Sequence, residues 1–354
     1  MSNSATKPQP NHRAGFVAIV GRPNAGKSTL LNKLVGQKIA IVTSKPQTTR
    51  NRIQGIVTQP EGQIVFIDTP GIHDAKSFLN RQMLREINAA VEGIDVLLLM
   101  ADAIAMQPHA DNLLIDRAKR FRGKVILALN KVDKLPKSKL LPILDAFQKE
   151  FPFAAMVPIS ALRGDGLDGL VAEILKLLPE VDPYFPEDQV TDQPERFLAS
   201  EIIREKAIAL TYHEVPHALA VFVEKWEEKR NLLRIEATMH VERPSQKKIL
   251  IGRKGEMLKK VGTQARKELE TLFDTKIYLG LFVKVVPDWR ENPQHVRELD
   301  WHAQIEALGE EQALRERVKR QYEELEESEK SDEAETDKEE VDAEEPESAR
   351  EKED

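Results

Sequence analysis

Between residues 14 and 179 the chain alternates short, nearly unbroken apolar runs with stretches whose apolar residues recur every three or four positions. The runs FVAIV (16–20), QIVFID (63–68), IDVLLLMAD (94–102), KVILALN (124–130) and AAMVPIS (154–160) have strand length. They lack the in–out alternation of a half-exposed strand, which predicts strands covered on both faces. Between them, Leu79, Met83, Leu84, Ile87 and Val91 fall on one helical face, as do Leu167, Leu170, Val171, Ile174 and Leu178. Strand and helix in alternation predict an α/β domain over 14–179 with a mostly parallel, doubly wound sheet.

Residues 180–195 are rich in proline and carboxylates and show no period, which marks a linker. The pattern then changes to that of an α+β unit over 196–298. A helix over about 195–210 leads into two strand-like segments, HALAVFVEKWEE (217–228) and NLLRIEATMHVER (231–243). A short helix, the stretch ILIGRKGEMLKK (249–260), a helix over about 255–273 and the strand KIYLGLFVKVV (276–286) follow. Residues 299–322 read as a charged helical extension, and residues 1–13 as a flexible leader. No internal repeat is visible.

Charge alters this picture. The 354-residue chain has a formal charge of −7, but residues 323–354 hold 18 acidic and 4 basic residues. The preceding residues therefore hold 48 basic and 41 acidic groups, a net of +7. Such an acidic block predicts a disordered tail, serving either as a solubilising extension or as a competitor for the basic surface. With no cysteine, the chain has no disulfides, thiol catalysis or cysteine-based zinc sites. Its histidines form no metal-ligand pair, no apolar run is long enough to cross a bilayer, and the N-terminus lacks a signal core. The reading is a cytoplasmic protein.

Chemistry enters with GRPNAGKST (21–29), directly after the first strand, which fits G-x-x-x-x-G-K-[ST]. Gly21 and Gly26 would let the backbone curl so that successive amides face phosphate oxygens, with Asn24, Ala25 and Thr29 also counted among the nucleotide contacts. Lys27 would bridge the β- and γ-phosphates, and the Ser28 hydroxyl would ligate Mg²⁺. The companions follow in order. DTPG (68–71) ends a strand, so that Asp68 would hold Mg²⁺ through water and the Gly71 amide would reach the γ-phosphate, beside Thr69 and Pro70. NKVD (130–133) ends another. Asp133 can accept both guanine N1–H and N2–H₂, donors that adenine lacks, while Asn130 binds the base edge and Lys131 covers the ring. Ser160 and Ala161 would contribute backbone contacts to guanine O6. Four motifs at strand C-terminal ends, where open α/β sheets bind ligands, define a guanine-nucleotide site.

This ordered set resembles the translation-factor class of GTPases, and QTTR (47–50) between the first two motifs is similar to the bacterial Era-type family. The resemblance implies that a switch threonine closes on Mg²⁺; position favours Thr49, with Thr48 the competitor. Lys27, Asn24, Thr49 and Gly71 would then carry catalysis, with Asn24 either ligating a stimulatory K⁺ or serving only as a turn residue. Ile72 stands where Ras-like enzymes place a water-orienting glutamine. His73 beside it reads as structural.

The second glycine pair, Gly252 and Gly255 in GRKG, sits between apolar residues. Lys247, Lys248, Arg253, Lys254, Lys259, Lys260, Arg266 and Lys267 surround it against one acid, Glu256. Helix, tight loop, helix and strand resemble a type-II KH domain, whose loop clamps the backbone of four nucleotides while an apolar groove takes the bases. The expected RNA contacts are Lys247, Lys248, Ile251, Gly252, Arg253, Lys254, Gly255, Met257, Lys259 and Lys260; the alternative is a solvated basic turn. Over 14–298, the resemblance implies a monomeric GTPase of 30S subunit assembly. It would bind GTP, GDP and the 3′-terminal region of 16S rRNA, and associate peripherally with the inner face of the cell membrane. Two other readings stand beside it: a constitutive RNA-binding protein with a structural nucleotide domain, and a GTPase of tRNA modification or membrane remodelling.

Overall fold

The structure, a computed structural model, describes residues 12–43, 45, 49–50, 52–69, 77–91, 93–105, 108–212 and 214–299. Thr48, Pro70, Gly71, Ile72, His73, the helical extension past Leu299 and the acidic tail lie outside them.

The first domain runs β1 (Arg13–Gly21), α1 (Lys27–Val35), β2 (Ile53–Gln59), β3 (Gly62–Asp68), α2 (Phe78–Val91), β4 (Val96–Asp102), α3 (Pro108–Arg120), β5 (Lys124–Asn130), α4 (Leu140–Glu150), β6 (Ala155–Pro158) and α5 (Leu167–Leu177). Its sheet has the order β2-β3-β1-β4-β5-β6, with only β2 antiparallel to its neighbour. The unbroken apolar runs are explained by two cores. Val17, Ile19, Val96, Leu98, Met100, Ile126 and Ala128 fill one face of the sheet. Ala18, Val20, Leu97, Leu99, Ala101, Leu127 and Leu129 fill the other. β1 opens at Arg13, which the sequence placed in the leader. The antiparallel β2 was not legible, because Gln54, Gly55, Thr58 and Gln59 break up the apolar run of IQGIVTQ.

Residues 184–193 run from the Gln63 side chain of β3 to the free edge of β2. The Ile56 amide donates to Val190 O at 2.9 Å, and the Thr191 hydroxyl donates to Gln54 O at 2.7 Å. The exposed edge that β2 would present is thereby covered. Gln63, fully buried in β3, fastens the strap. Its Oε1 accepts from the amides of Tyr184 (2.9 Å) and Phe185 (3.0 Å), while Nε2 donates to Phe185 O at 2.9 Å and Thr58 Oγ1 at 3.0 Å.

The second domain comprises α6 (Glu195–Leu210), α7 (Val215–Ala218), β7 (Ala220–Lys229), β8 (Leu232–Val241), α8 (Pro244–Ile251), α9 (Glu256–Leu272), β9 (Ile277–Val285) and α10 (Pro293–Arg297). β8 pairs antiparallel with β7 and parallel with β9. A parallel pair needs a long crossover, which α8 and α9 supply. Odd-numbered residues of β8 from Leu233 to Val241 pack with Leu250, Val261, Ala265 and Leu269 of those helices. A separate small core joins the domains: Leu79 and Met83 of α2 pack with Ala220, Trp289 and Val296.

Gln63→Leu keeps the side chain's bulk but strips the part-buried amides of Tyr184 and Phe185 of their acceptor and Phe185 O of a donor. Equilibrium urea unfolding is expected to show a loss of about 2–3 kcal/mol, and limited proteolysis should cleave within 183–193. Unchanged stability and protease resistance would show that the strap holds without this residue.

Candidate functional site

The C-terminal ends of the parallel strands gather the first site. Register places Ile19 beside Asp68, Gly21 beside Met100 and Asp102 beside Asn130, so loops from β1, β3, β4 and β5 open side by side. The loop after β1 turns through Asn24 (φ 61°) and Gly26 (φ 102°) into α1. A side chain at Gly26 would meet Asn130 Nδ2 at 2.4 Å in an unfavourable backbone conformation, so glycine is required there. Pro23, Asn24, Gly26, Lys27, Ser28 and Thr29 form one wall of a cleft, faced by Ile41, Val42, Thr43, Lys45 and Thr49. Sequence reasoning missed Val42, Thr43 and Lys45, whose types carry no phosphate-binding signature.

Two charges are buried at the cleft floor. Lys27 is 7 % exposed and its Nζ donates to Gly21 O and Arg22 O, each at 3.2 Å. Burial lowers its pKa, with Asp68 opposing that shift. Asp68 is fully buried; burial raises its pKa, while Lys27, Ser28, the Thr69 amide and Thr49 pull it back. The Ser28 hydroxyl donates to Asp68 Oδ2 at 2.7 Å and lies 3.0 Å from Thr49 Oγ1. Asp68 Oδ1 is buried without a hydrogen-bond partner among the described residues. Two hydroxyls and a carboxylate with an unsatisfied oxygen are a donor set suited to a hard divalent cation. Thr69 faces elsewhere: its hydroxyl donates to Ile19 O at 2.9 Å inside the core, so only its backbone is left for a nucleotide. Thr48, Pro70 and Gly71 lie outside the described residues.

Beyond the phosphate end, Asn130 joins three loops. Its Nδ2 donates to Ala25 O at 2.7 Å and its Oδ1 accepts from the Ala161 amide at 2.9 Å. Lys131, in the left-handed region at φ 68°, directs Nζ to Asn24 O (2.8 Å) and Asp102 Oδ2 (2.5 Å). Asp102 orients this lysine and was not singled out from the sequence; its position at the end of β4 was the available signal. The Asp133 side chain is 6 % exposed, with Arg163 Nε 3.7 Å from Oδ2. Ser160 is buried and its amide donates to Asp165 O at 3.0 Å, closing the loop that carries Ala161.

The second site lies on the other domain. α8 ends at Gly252, which has a φ of 72°. A side-chain carbon added there would stand 2.7 Å from Met257 Cβ, so larger residues are excluded. Arg253, Lys254 and Gly255 form one tight turn, with Lys254 left-handed at φ 50°. Lys248, Arg253, Lys254, Lys259 and Lys260 are exposed, and Lys247 is half-buried. None of them is ion-paired among the described residues. Ile251 and Met257 are half-buried beside Ile249, which is 48 % exposed. Leu250, between the two isoleucines, is fully buried in the core and cannot line a groove.

Residues 16–131 match the family model described as "50S ribosome-binding GTPase", and residues 214–290 match the KH domain model. The chain is 50 % identical over 289 residues to GTPase Era of Geotalea daltonii, covering 81 % of this chain and 97 % of that protein. It is 49 % identical over 293 residues to GTPase Era of Syntrophus aciditrophicus, covering 82 % and 95 %. Among solved structures, Era in complex with MgGDPNP and nucleotides 1506–1542 of 16S ribosomal RNA is 44 % identical, with a TM-score of 0.79 over 81 % of this chain and 98 % of that one. A single-substitution variant of Aquifex aeolicus Era bound to GDP·AlF4⁻ gives the same figures. A nucleotide cleft built on the ends of a parallel sheet, a KH domain behind it and relatives matched over nearly their whole length lead to one conclusion: this chain belongs to the Era family of GTPases.

Proposed function

We propose that the chain binds the 3′-terminal region of 16S rRNA through its KH domain in a manner gated by GTP, and acts in 16S rRNA maturation and 30S subunit assembly. The observation that carries the RNA assignment is the exposed GRKG turn. Cations with no ion-pair partner among the described residues flank half-buried Ile251 and Met257 on one surface. Phosphodiester oxygens suit the cations and the close-packed glycine turn, and bases suit the apolar strip. The solved Era complex with nucleotides 1506–1542 of 16S rRNA supports this choice of RNA.

At the cleft, Lys27 would exchange its two loop carbonyls for β- and γ-phosphate oxygens. Ser28 and Thr49 would hold Mg²⁺ directly and Asp68 would hold it through water, and the Asp68 oxygen without a partner fits that duty. When bound, the ion neutralises charge on the β- and γ-phosphates. Asp133 would accept from guanine N1–H and N2–H₂, and the Lys131 stem, fixed by Asp102, would cover the ring. Water attacks the γ-phosphorus, the bond from it to the β–γ bridging oxygen breaks, and GDP and phosphate leave. Pre-placed charge and loop amides lower the barrier. Asn24, held at φ 61° on the cleft wall, would ligate K⁺. We assign the chain to the cytoplasm as a monomer, with peripheral attachment to the membrane. No helix among the described residues is long and apolar enough to cross one.

Three measurements test this reading. Asp133→Asn should lower selectivity for GTP over xanthosine triphosphate by about 100-fold or more, read as kcat/KM for each, because the amide cannot accept both guanine donors. Equal selectivity would remove Asp133 from base recognition. Turnover should be faster in K⁺ than in Na⁺ at equal ionic strength, and Asn24→Ala should abolish the difference; equal rates in wild type would leave Asn24 as a turn residue. A labelled oligonucleotide of the 16S 3′ end should bind in preference to a scrambled one. Arg253→Ala with Lys254→Ala should then weaken binding about tenfold and reduce the salt slope by about one per cation. An unchanged affinity would demote the turn to a solvated basic patch.

A further inference from the structure

Thr49 and Arg50 are consecutive, yet their side chains serve different domains. Thr49 Oγ1 lies 3.0 Å from Ser28 Oγ in the nucleotide cleft. Arg50 leaves the cleft and enters the KH domain, where it is 6 % exposed. Its guanidinium donates to Leu219 O at 2.7 Å and His217 O at 3.1 Å, and sits 5.5 Å from the centre of the Trp289 ring. That ring is fixed by its own indole N–H, which donates to Ala218 O at 2.8 Å, between the two carbonyls that Arg50 uses. The guanidinium therefore occupies a seat with two acceptors and a π-face, all rigidly placed, which a planar fork fills and a point charge does not.

The same segment is also held upstream. Lys38 Nζ pairs with Glu205 at 2.6 Å and with Glu268, and the Val42 amide donates to Glu205 Oε1 at 2.9 Å. Glu268 belongs to α9, the helix that begins at the GRKG turn. Contacts with the second domain thus lie on both sides of the cleft-lining Thr43 and Thr49 in sequence. Consecutive Cα atoms stand about 3.8 Å apart, so a backbone movement that carries Thr49 away from Ser28 also displaces the Arg50 backbone that feeds the seated guanidinium.

We propose that Arg50 is a positioning residue for GTP hydrolysis: its seating on His217, Leu219 and Trp289 sets whether Thr49 can join Ser28 and Asp68, and carries the state of each domain to the other. This rests on the proposed gating of RNA binding by GTP, and it names the residue through which that gating runs. A guanidinium that only glued the domains together would affect stability and leave the coupling untouched.

The test uses the full-length chain as wild type, Arg50→Gln and Arg50→Lys. The affinity of a 16S 3′-end oligonucleotide is measured in GDP and in a non-hydrolysable GTP analogue, together with kcat and KM for GTP. In wild type the two affinities should differ by about tenfold, an ordinary coupling strength. In Arg50→Gln the ratio should fall to within about twofold of unity with GDP affinity retained, and kcat should drop at nearly constant KM, as for a residue that aligns the transition state. Arg50→Lys, which keeps the charge but not the fork, should lie between the two, and it decides the matter alone if the glutamine variant does not fold. A wild-type ratio preserved in either folded variant would overturn the role of Arg50 and leave gating intact. A ratio of one in wild type would overturn the gating itself, and this inference with it.

Discussion

Lys27 and Asp68 bury opposite charges at the mouth of one sheet, and the arrangement around them follows from that burial. Desolvation pushes each toward its neutral form, and each opposes the shift of the other. Neither has a full set of charged partners: Lys27 rests on two backbone carbonyls, and one oxygen of Asp68 has no hydrogen-bond donor among the described residues. A buried pair in this condition is costly, and the cost falls when an anion reaches the lysine and a cation reaches the carboxylate. In the proposed reading, a nucleoside triphosphate with its Mg²⁺ would bring both together. On that reading the affinity of the cleft would be built into the sheet, whose register sets Asp68 beside the strand that leads into the glycine loop.

The KH domain is not a passive appendage to that cleft. The segment opposite the glycine loop, which contributes Val42, Thr43, Lys45 and Thr49 to the cleft, carries four anchors in the second domain. Lys38 and the Val42 amide meet Glu205, Lys45 reaches Thr211 O and the Tyr212 ring, and Arg50 meets the α7–β7 corner. On the other side α2, which follows the DTPG loop, packs Leu79 and Met83 against Ala220, Trp289 and Val296. Both chain segments that flank the proposed γ-phosphate position therefore touch the second domain. With nucleotide and RNA sites on one chain, thermodynamic linkage requires any influence between them to be reciprocal.

The parallel sheet and the positions of Lys27, Ser28, Asp68, Asn130 and Asp133 were legible in the sequence because each lies at the end of an unbroken apolar run. The KH architecture was legible from the order of its elements, and the GRKG turn from the cations around it. Other features depend on tertiary partners. β2 is an antiparallel edge strand covered by the 184–193 strap, so its pattern is neither fully apolar nor cleanly alternating. Thr69 sits within a nucleotide motif, yet its hydroxyl serves the core through Ile19 O. Asp102 orients Lys131 from 29 positions upstream, a pairing created by strand order. Arg50 was visible only as the last letter of QTTR; nothing near it in sequence announces Trp289 or the carbonyls of His217 and Leu219.

The most direct test of the central claim runs in the reverse direction, from RNA to nucleotide. Dissociation constants of fluorescent GDP and of a fluorescent non-hydrolysable GTP analogue would be measured on the full-length chain, with and without saturating 16S 3′-end oligonucleotide, at fixed salt and Mg²⁺. The account requires the RNA to change the ratio of the two constants by the same factor by which nucleotide state changes RNA affinity. If the ratio is the same with and without RNA, the cleft and the GRKG turn are independent sites and the shared segment couples nothing.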